Sequence, residues 1–211
     1  MATIMTQSNR KVTGPAARRR ILWVDGVGGY LLVDSDEVSV GQAIADSPVD
    51  IGIVGDLRRR AGVVRRSGGD YLLQPLQSTR LNDEPIERAQ LLKHNDQVQF
   101  GDRVRLRFTQ PHRLSATARL DLVGLGKFNP YVDAVLLLAD SCLIGPQANC
   151  HVRCPHWSEL DQAPLALVRR DHDWFFNTQE ELLVHGLPQR GLIPLTAGLR
   201  LSGASFSLSI E

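Results

Sequence analysis

A chain of 211 residues, 43% hydrophobic and 22% charged, has the make-up of a folded soluble protein with room for one large core or two small ones. A net charge of +1 excludes a nucleic-acid binder held by bulk charge, and no apolar run approaches the ~20 residues that cross a bilayer, so neither nucleic acid nor membrane is expected as a partner. Three cysteines cannot all pair within one chain, and free thiols in a reducing cytoplasm are expected.

Residues 1–20 are polar, carry Arg10, Lys11, Arg18, Arg19 and Arg20, and lack an apolar signal core; they read as a disordered basic leader. Ile21–Val24 and Tyr30–Val33 are strands around the glycine-rich turn Asp25-Gly26-Val27-Gly28-Gly29, which is a hairpin signature. A dinucleotide loop is rejected because the third glycine of that motif would fall on Leu31 and no helix follows. Short strands then recur every 8–12 residues or so, the spacing of a β-sandwich. They are Val38–Val40, Val49–Ile53, Gly62–Arg65, Tyr71–Gln74, Thr79–Leu81, Gln97–Phe100 and Val104–Phe108. The last alternates apolar and basic residues, the period-2 pattern of a half-buried strand. No 3.6-residue apolar stripe of useful length is present, so few helices are expected. Residues 112–130 read as a connector with one strand, Ala118–Leu122.

The chain then repeats itself. Tyr30–Gly41 aligns without gaps on Ala134–Gly145, and Val64-Arg65-Arg66 recurs as Val168-Arg169-Arg170. Tyr71-Leu72-Leu73 becomes Trp174-Phe175-Phe176, and Leu81–Pro85 becomes Val184–Pro188. Val104-x-Leu106-x-Phe108 becomes Phe206-x-Leu208-x-Ile210. Collinear matches of this kind point to duplication of one β-rich unit.

The unit's landmarks are Gly41, the loop Arg58-Arg59-Arg60 before the strand at Val64, Tyr71, and Thr79-Arg80-Leu81-Asn82. They continue with Leu92-x-x-x-Asp96-x-Val98-x-Phe100-Gly101. In this order they resemble a forkhead-associated (FHA) domain. The resemblance implies an all-β fold of two tandem FHA-like β-sandwiches, at 21–111 and 131–211, joined by 112–130. It also implies a loop array that binds phosphothreonine peptides, here at Gln42, Arg58, Arg59, Arg60, Gln77, Ser78, Thr79 and Asn82. The array departs from the family pattern. Gln42 stands in the place of an arginine, Arg58 in that of a serine, and Gln77-Ser78 in that of Asn-Gly. An amide lacks the bidentate charged grip of a guanidinium, which lowers phosphate affinity roughly tenfold to a hundredfold. Arg58–Arg60 bring charge back to the same loop, either as an anion site or as a solvated basic loop.

The second copy departs further: Pro146 follows Gly145, its loop Trp157–Pro164 is acidic, and His185-Gly186 replaces Asn82-Asp83. It reads as a structural or docking unit. Cys150, Cys154 and His156, with Cys142, have a density that tests for zinc, but the spacing is irregular and buried thiols explain it. Asp171-His172-Asp173 reads as a solvated turn, and no nucleophile elbow or phosphate-cradling loop is present. The expectation is a non-catalytic, cofactor-free protein–protein interaction module with a scaffold or docking role. Phosphothreonine reading through Arg58–Arg60 is its alternative, and a zinc- or thiol-dependent enzyme a third.

Overall fold

The computed structural model describes residues 19–45, 48–157 and 163–211, so most of the basic leader (1–18) and the acidic stretch 158–162 lie outside the described residues. All regular structure in the described residues is strand, and no helix there is long and apolar enough to cross a membrane. The N-terminal hairpin is β1 (Arg19–Val24) and β2 (Gly28–Val33), followed by β3 (Glu37–Gln42), β4 (Ile51–Val54), β5 (Gly62–Ser67) and β6 (Asp70–Pro75). Next come β7 (Thr79–Leu81), β8 (Glu84–Ile86), β9 (Gln90–Leu92), β10 (Gln97–Phe100) and β11 (Val104–Thr109). The stretch read as a connector holds β12 (Ala118–Leu122) and β13 (Lys127–Asn129). Then follow β14 (Ala134–Leu137), β15 (Ser141–Gly145), β16 (Val152–Arg153), β17 (Leu165–Arg170) and β18 (Asp173–Val184). The chain closes with β19 (Leu187–Pro194), β20 (Arg200–Ser202) and β21 (Ser207–Ile210).

These strands form two sheets in a sandwich-like arrangement. The smaller runs β13-β4-β3-β5-β6-β9, and the larger runs β16-β15-β17-β18-β20-β21-β1-β2-β14-β12-β11-β10-β7-β8 with β19 on β18. Local chemistry sets many of the pieces. In β11, Val104, Leu106 and Phe108 are buried while Arg105 and Arg107 face out. Asn82 and Asp83 take φ of 51° and 67° in the two-residue turn between β7 and β8. His185 and Gly186, at φ 50° and 85°, make the matching turn between β18 and β19.

The order of the larger sheet can be set against the sequence repeat. Matching the copies pairs β7 with the end of β18, β10 with β20, β11 with β21, β1 with β12 and β2 with β14. Read from β18 to β7, the sheet is then a palindrome with the copies exchanged. The first copy's hairpin adds β1 to the second copy's last strand, β21, while β12 adds to the first copy's last strand, β11. At the centre β2 and β14 pair in parallel, Tyr30 opposite Ala134 through Val33 opposite Leu137, the same pairs as the sequence repeat. Both are apolar throughout because both faces are covered. Leu31, Val33, Val135 and Leu137 enter one core; Tyr30, Leu32, Ala134 and Leu136 enter the other.

Each core therefore draws on residues from before and after the stretch 112–130. The first lies between the smaller sheet and the β2-to-β7 part of the larger one; the second is lined by the β16-to-β14 part with β19, and β18 slips in register on β19 between Thr178 and Leu182. Polar groups fasten the seam. Tyr71 Oη reaches the carbonyls of Ala116 and Leu137 at 2.8 and 3.2 Å, and Trp174 Nε1 donates to Asp34 Oδ2 at 2.9 Å. Gly29 N donates to Asp133 Oδ2 at 2.7 Å, and Asp133 N returns a bond to Gly29 O at 2.8 Å. Arg119 pairs with Asp121, lies over the Tyr30 ring, and donates to His151 O at 3.0 Å. Trp157 and Trp174 are buried in the second core. Trp23 is not: its ring lies across Gly29, where a Cβ would come within 2.4 Å, and its Nε1 donates to Glu211 at 2.9 Å.

Candidate binding loops

The arginine loop is held at both ends. Leu57 and Ala61 are buried in the first core, so Arg58, Arg59 and Arg60 between them are pushed into solvent. Backbone bonds fasten the loop to β3: Gln42 N donates to Arg58 O at 3.0 Å, and Ala61 N to Val40 O at 2.8 Å. Gly41 makes this close approach possible, since a Cβ there would stand 2.0 Å from Arg59 O. Arg58 N also donates to Gln77 Oε1 at 2.9 Å, tying the loop to the segment before β7.

Four of the expected residues line one hollow of about 510 Å³: Arg58, Gln77, Ser78 and Thr79, with Pro85 and Glu87 across from them. Thr79 is itself buried, its Oγ1 donating to Gln77 O at 2.9 Å, so its hydroxyl serves the loop. Ser78 is exposed, and its carbonyl accepts from Gly101 N at 2.9 Å. Arg59 and Arg60 stand beside the hollow, with no ion pair among the described residues. Two residues are elsewhere. The side chain of Gln42 lines a separate hollow with Arg19 and Asn129. Asn82 turns inward, its Nδ2 donating to Asp96 Oδ1 at 2.8 Å and its Oδ1 accepting from Gln97 N at 2.9 Å.

The second copy repeats the frame with other chemistry. A Cβ on Gly145 would meet Pro164 Cα at 3.2 Å, so this glycine too lies against its loop. The corresponding hollow, of about 220 Å³, is lined by Trp157, Pro164, Leu182 and Phe206, with the Trp157 and Phe206 rings stacked 4.2 Å apart. No arginine lines it among the described residues.

The cysteines are structural in their surroundings. Cys142, Cys150 and Cys154 are free and buried. Burial raises all three thiols, Cys154 to about 12, which keeps them protonated and poorly nucleophilic. His156 is exposed, and no group of three metal-ligating side chains comes together among the described residues. His151 is fully buried with its Nδ1 accepting from Leu143 N at 2.9 Å and its Nε2 without a hydrogen-bond partner. Burial, and then His112 nearby, push its pKa down to about 4.

No family model and no curated protein matches the chain. Among solved structures it is similar to one described as Rv0020c_FHA Structure, with 23% identity, 42% of this chain and 90% of that chain covered, and a TM-score of 0.27.

Proposed function

We propose that the chain is a non-catalytic protein–protein interaction module, made of two FHA-like units, that acts as a scaffold or docking platform in the cytoplasm. The observation that carries this reading is the loop end of the first copy. There the fold spends two buried anchors, Leu57 and Ala61, and a glycine, Gly41, on holding three arginines outward. The residues with the chemistry of an enzyme point elsewhere: the thiols are protonated and buried in the second core.

A second reading, phosphothreonine recognition, is favoured by one particular: Arg58 shares its hollow with the exposed Ser78. A guanidinium and a hydroxyl on one concave surface suit a phosphate. Titrating phosphothreonine peptides against their unphosphorylated twins separates the two. Phosphate-dependent binding that weakens about tenfold or more in Arg58→Ala establishes the reader. Binding of a partner protein with no dependence on phosphate leaves the docking role. Turnover of a bound peptide refutes both.

A further inference from the structure

We propose that the outer face of the larger sheet, at β7, β10, β11 and β12, is a docking surface for an extended acidic segment of a partner protein. It is distinct from the Arg58 hollow and does not rest on the function proposed there. The register assembles it. Arg80 lies opposite Gln99, and Gln99 opposite Arg105, which makes one cross-strand row; Gln97, Arg107 and Asp121 make the next. Residues opposite one another in an antiparallel pair share a face. Arg80, Arg105 and Arg107 are exposed. The carboxylate in these rows, Asp121, is already bonded to Arg119 at 2.6 Å. Arg105 Nε donates to Gln99 Oε1 at 2.9 Å, which orients its guanidinium across the sheet, and the Arg107 guanidinium has neither a hydrogen bond nor an ion pair among the described residues.

The molecule contains its own control. Ser207 and Ser209 of β21 occupy the places of Arg105 and Arg107 in the other copy, and β21 pairs on both sides as β11 does. The strand's structural role is thus met by serine, and the fold does not account for the arginines. Their spacing points to the occupant. Arg105 and Arg107 are about 7 Å apart along the strand, the period of every second side chain in an extended acidic peptide. Among the described residues these two rows carry no aromatic ring on which a base would stack, and a net charge of +1 supplies no long-range field for a phosphate polymer.

The test uses the full chain and poly-L-glutamate as the probe, with binding followed by fluorescence anisotropy across a salt series. The wild type is expected to bind with affinity that falls as salt rises. Arg105→Ser/Arg107→Ser, which installs the other copy's residues, is expected to lose about tenfold or more at low salt with an unchanged melting curve. Arg190→Ser, at an exposed arginine of β19 far from β11 in the sheet order, is expected to leave this binding intact. Should the serine pair melt early, Arg105→Gln/Arg107→Gln is to show the same loss. Undiminished binding by a folded double variant overturns the proposal. So does preference of the wild type for a DNA duplex over poly-L-glutamate at equal charge.

Discussion

Replacing Gly41 with alanine tests how the arginine loop is held. The new Cβ would stand 2.0 Å from Arg59 O, 2.8 Å from Arg59 C and 3.1 Å from Arg60 Cα, where ordinary contact begins at 3.4 Å. All three are backbone atoms, so no rotamer change relieves the clash, and the loop must retreat by more than about 1 Å. That movement stretches two bonds at its base, Gln42 N to Arg58 O and Ala61 N to Val40 O, now 3.0 and 2.8 Å. It also lifts Leu57 or Ala61 from the core. Two backbone bonds lost or weakened near a buried edge cost about 1–3 kcal/mol, and partial exposure of Leu57 adds about 1 kcal/mol. The expected destabilisation is about 2–4 kcal/mol in urea denaturation, with the loss concentrated around residues 57–61 in hydrogen exchange. A variant within about 0.5 kcal/mol of wild type, with the loop's amides protected as before, would refute this account of the glycine.

Other expectations follow from the cores and the seam. His151 is held neutral with a pKa of about 4, below its ordinary 6.5, so the unfolded chain binds its proton first as pH falls. Its contribution is complete above pH 6.5 and is lost as pH drops toward 4, by up to about 3 kcal/mol; a His151→Gln variant should flatten that slope in denaturation measured from pH 7 to 4. The raised thiols of Cys142, Cys150 and Cys154 should resist iodoacetamide at pH 8 in the native protein and react only in denaturant, as read by mass spectrometry. Fast labelling of any one in the folded chain would contradict their burial. A protease site placed at Leu114, which is 86% exposed between β11 and β12, should yield two fragments that co-elute until denaturant is added. Separate elution in native buffer would show that the exchanged hairpins do not hold the halves together.

Much of the strand pattern was legible because its causes are local. The alternation at Val104–Phe108 and the glycine-rich hairpin turn at residues 25–29 declare themselves without knowledge of any neighbour. The strand in β13 did not, since Phe128 is its one buried residue and a single apolar side chain has no period. Nor could the sequence say which edge a hairpin joins: β1 carries the same pattern whether it meets β21 or β11, and only three-dimensional packing decides. The same limit applies to the site. The exposure of Arg58–Arg60 follows from charge, but the inward turn of Asn82 toward Asp96 depends on a residue fourteen places away. The basic rows on the sheet were invisible for that reason too. Arg105 and Arg107 read simply as outward positions until the register put Arg80, Gln97 and Gln99 beside them.

The trading of hairpins between the copies also bears on how such a protein is inherited. A gene segment encoding either copy by itself would specify an open-edged body together with an arm suited to another's edge. Loss of either part of the chain is then a defect in both cores. A change at Leu22 or Leu120 is felt first by a strand far off in the sequence, at Ile210 or at Phe108 opposite it.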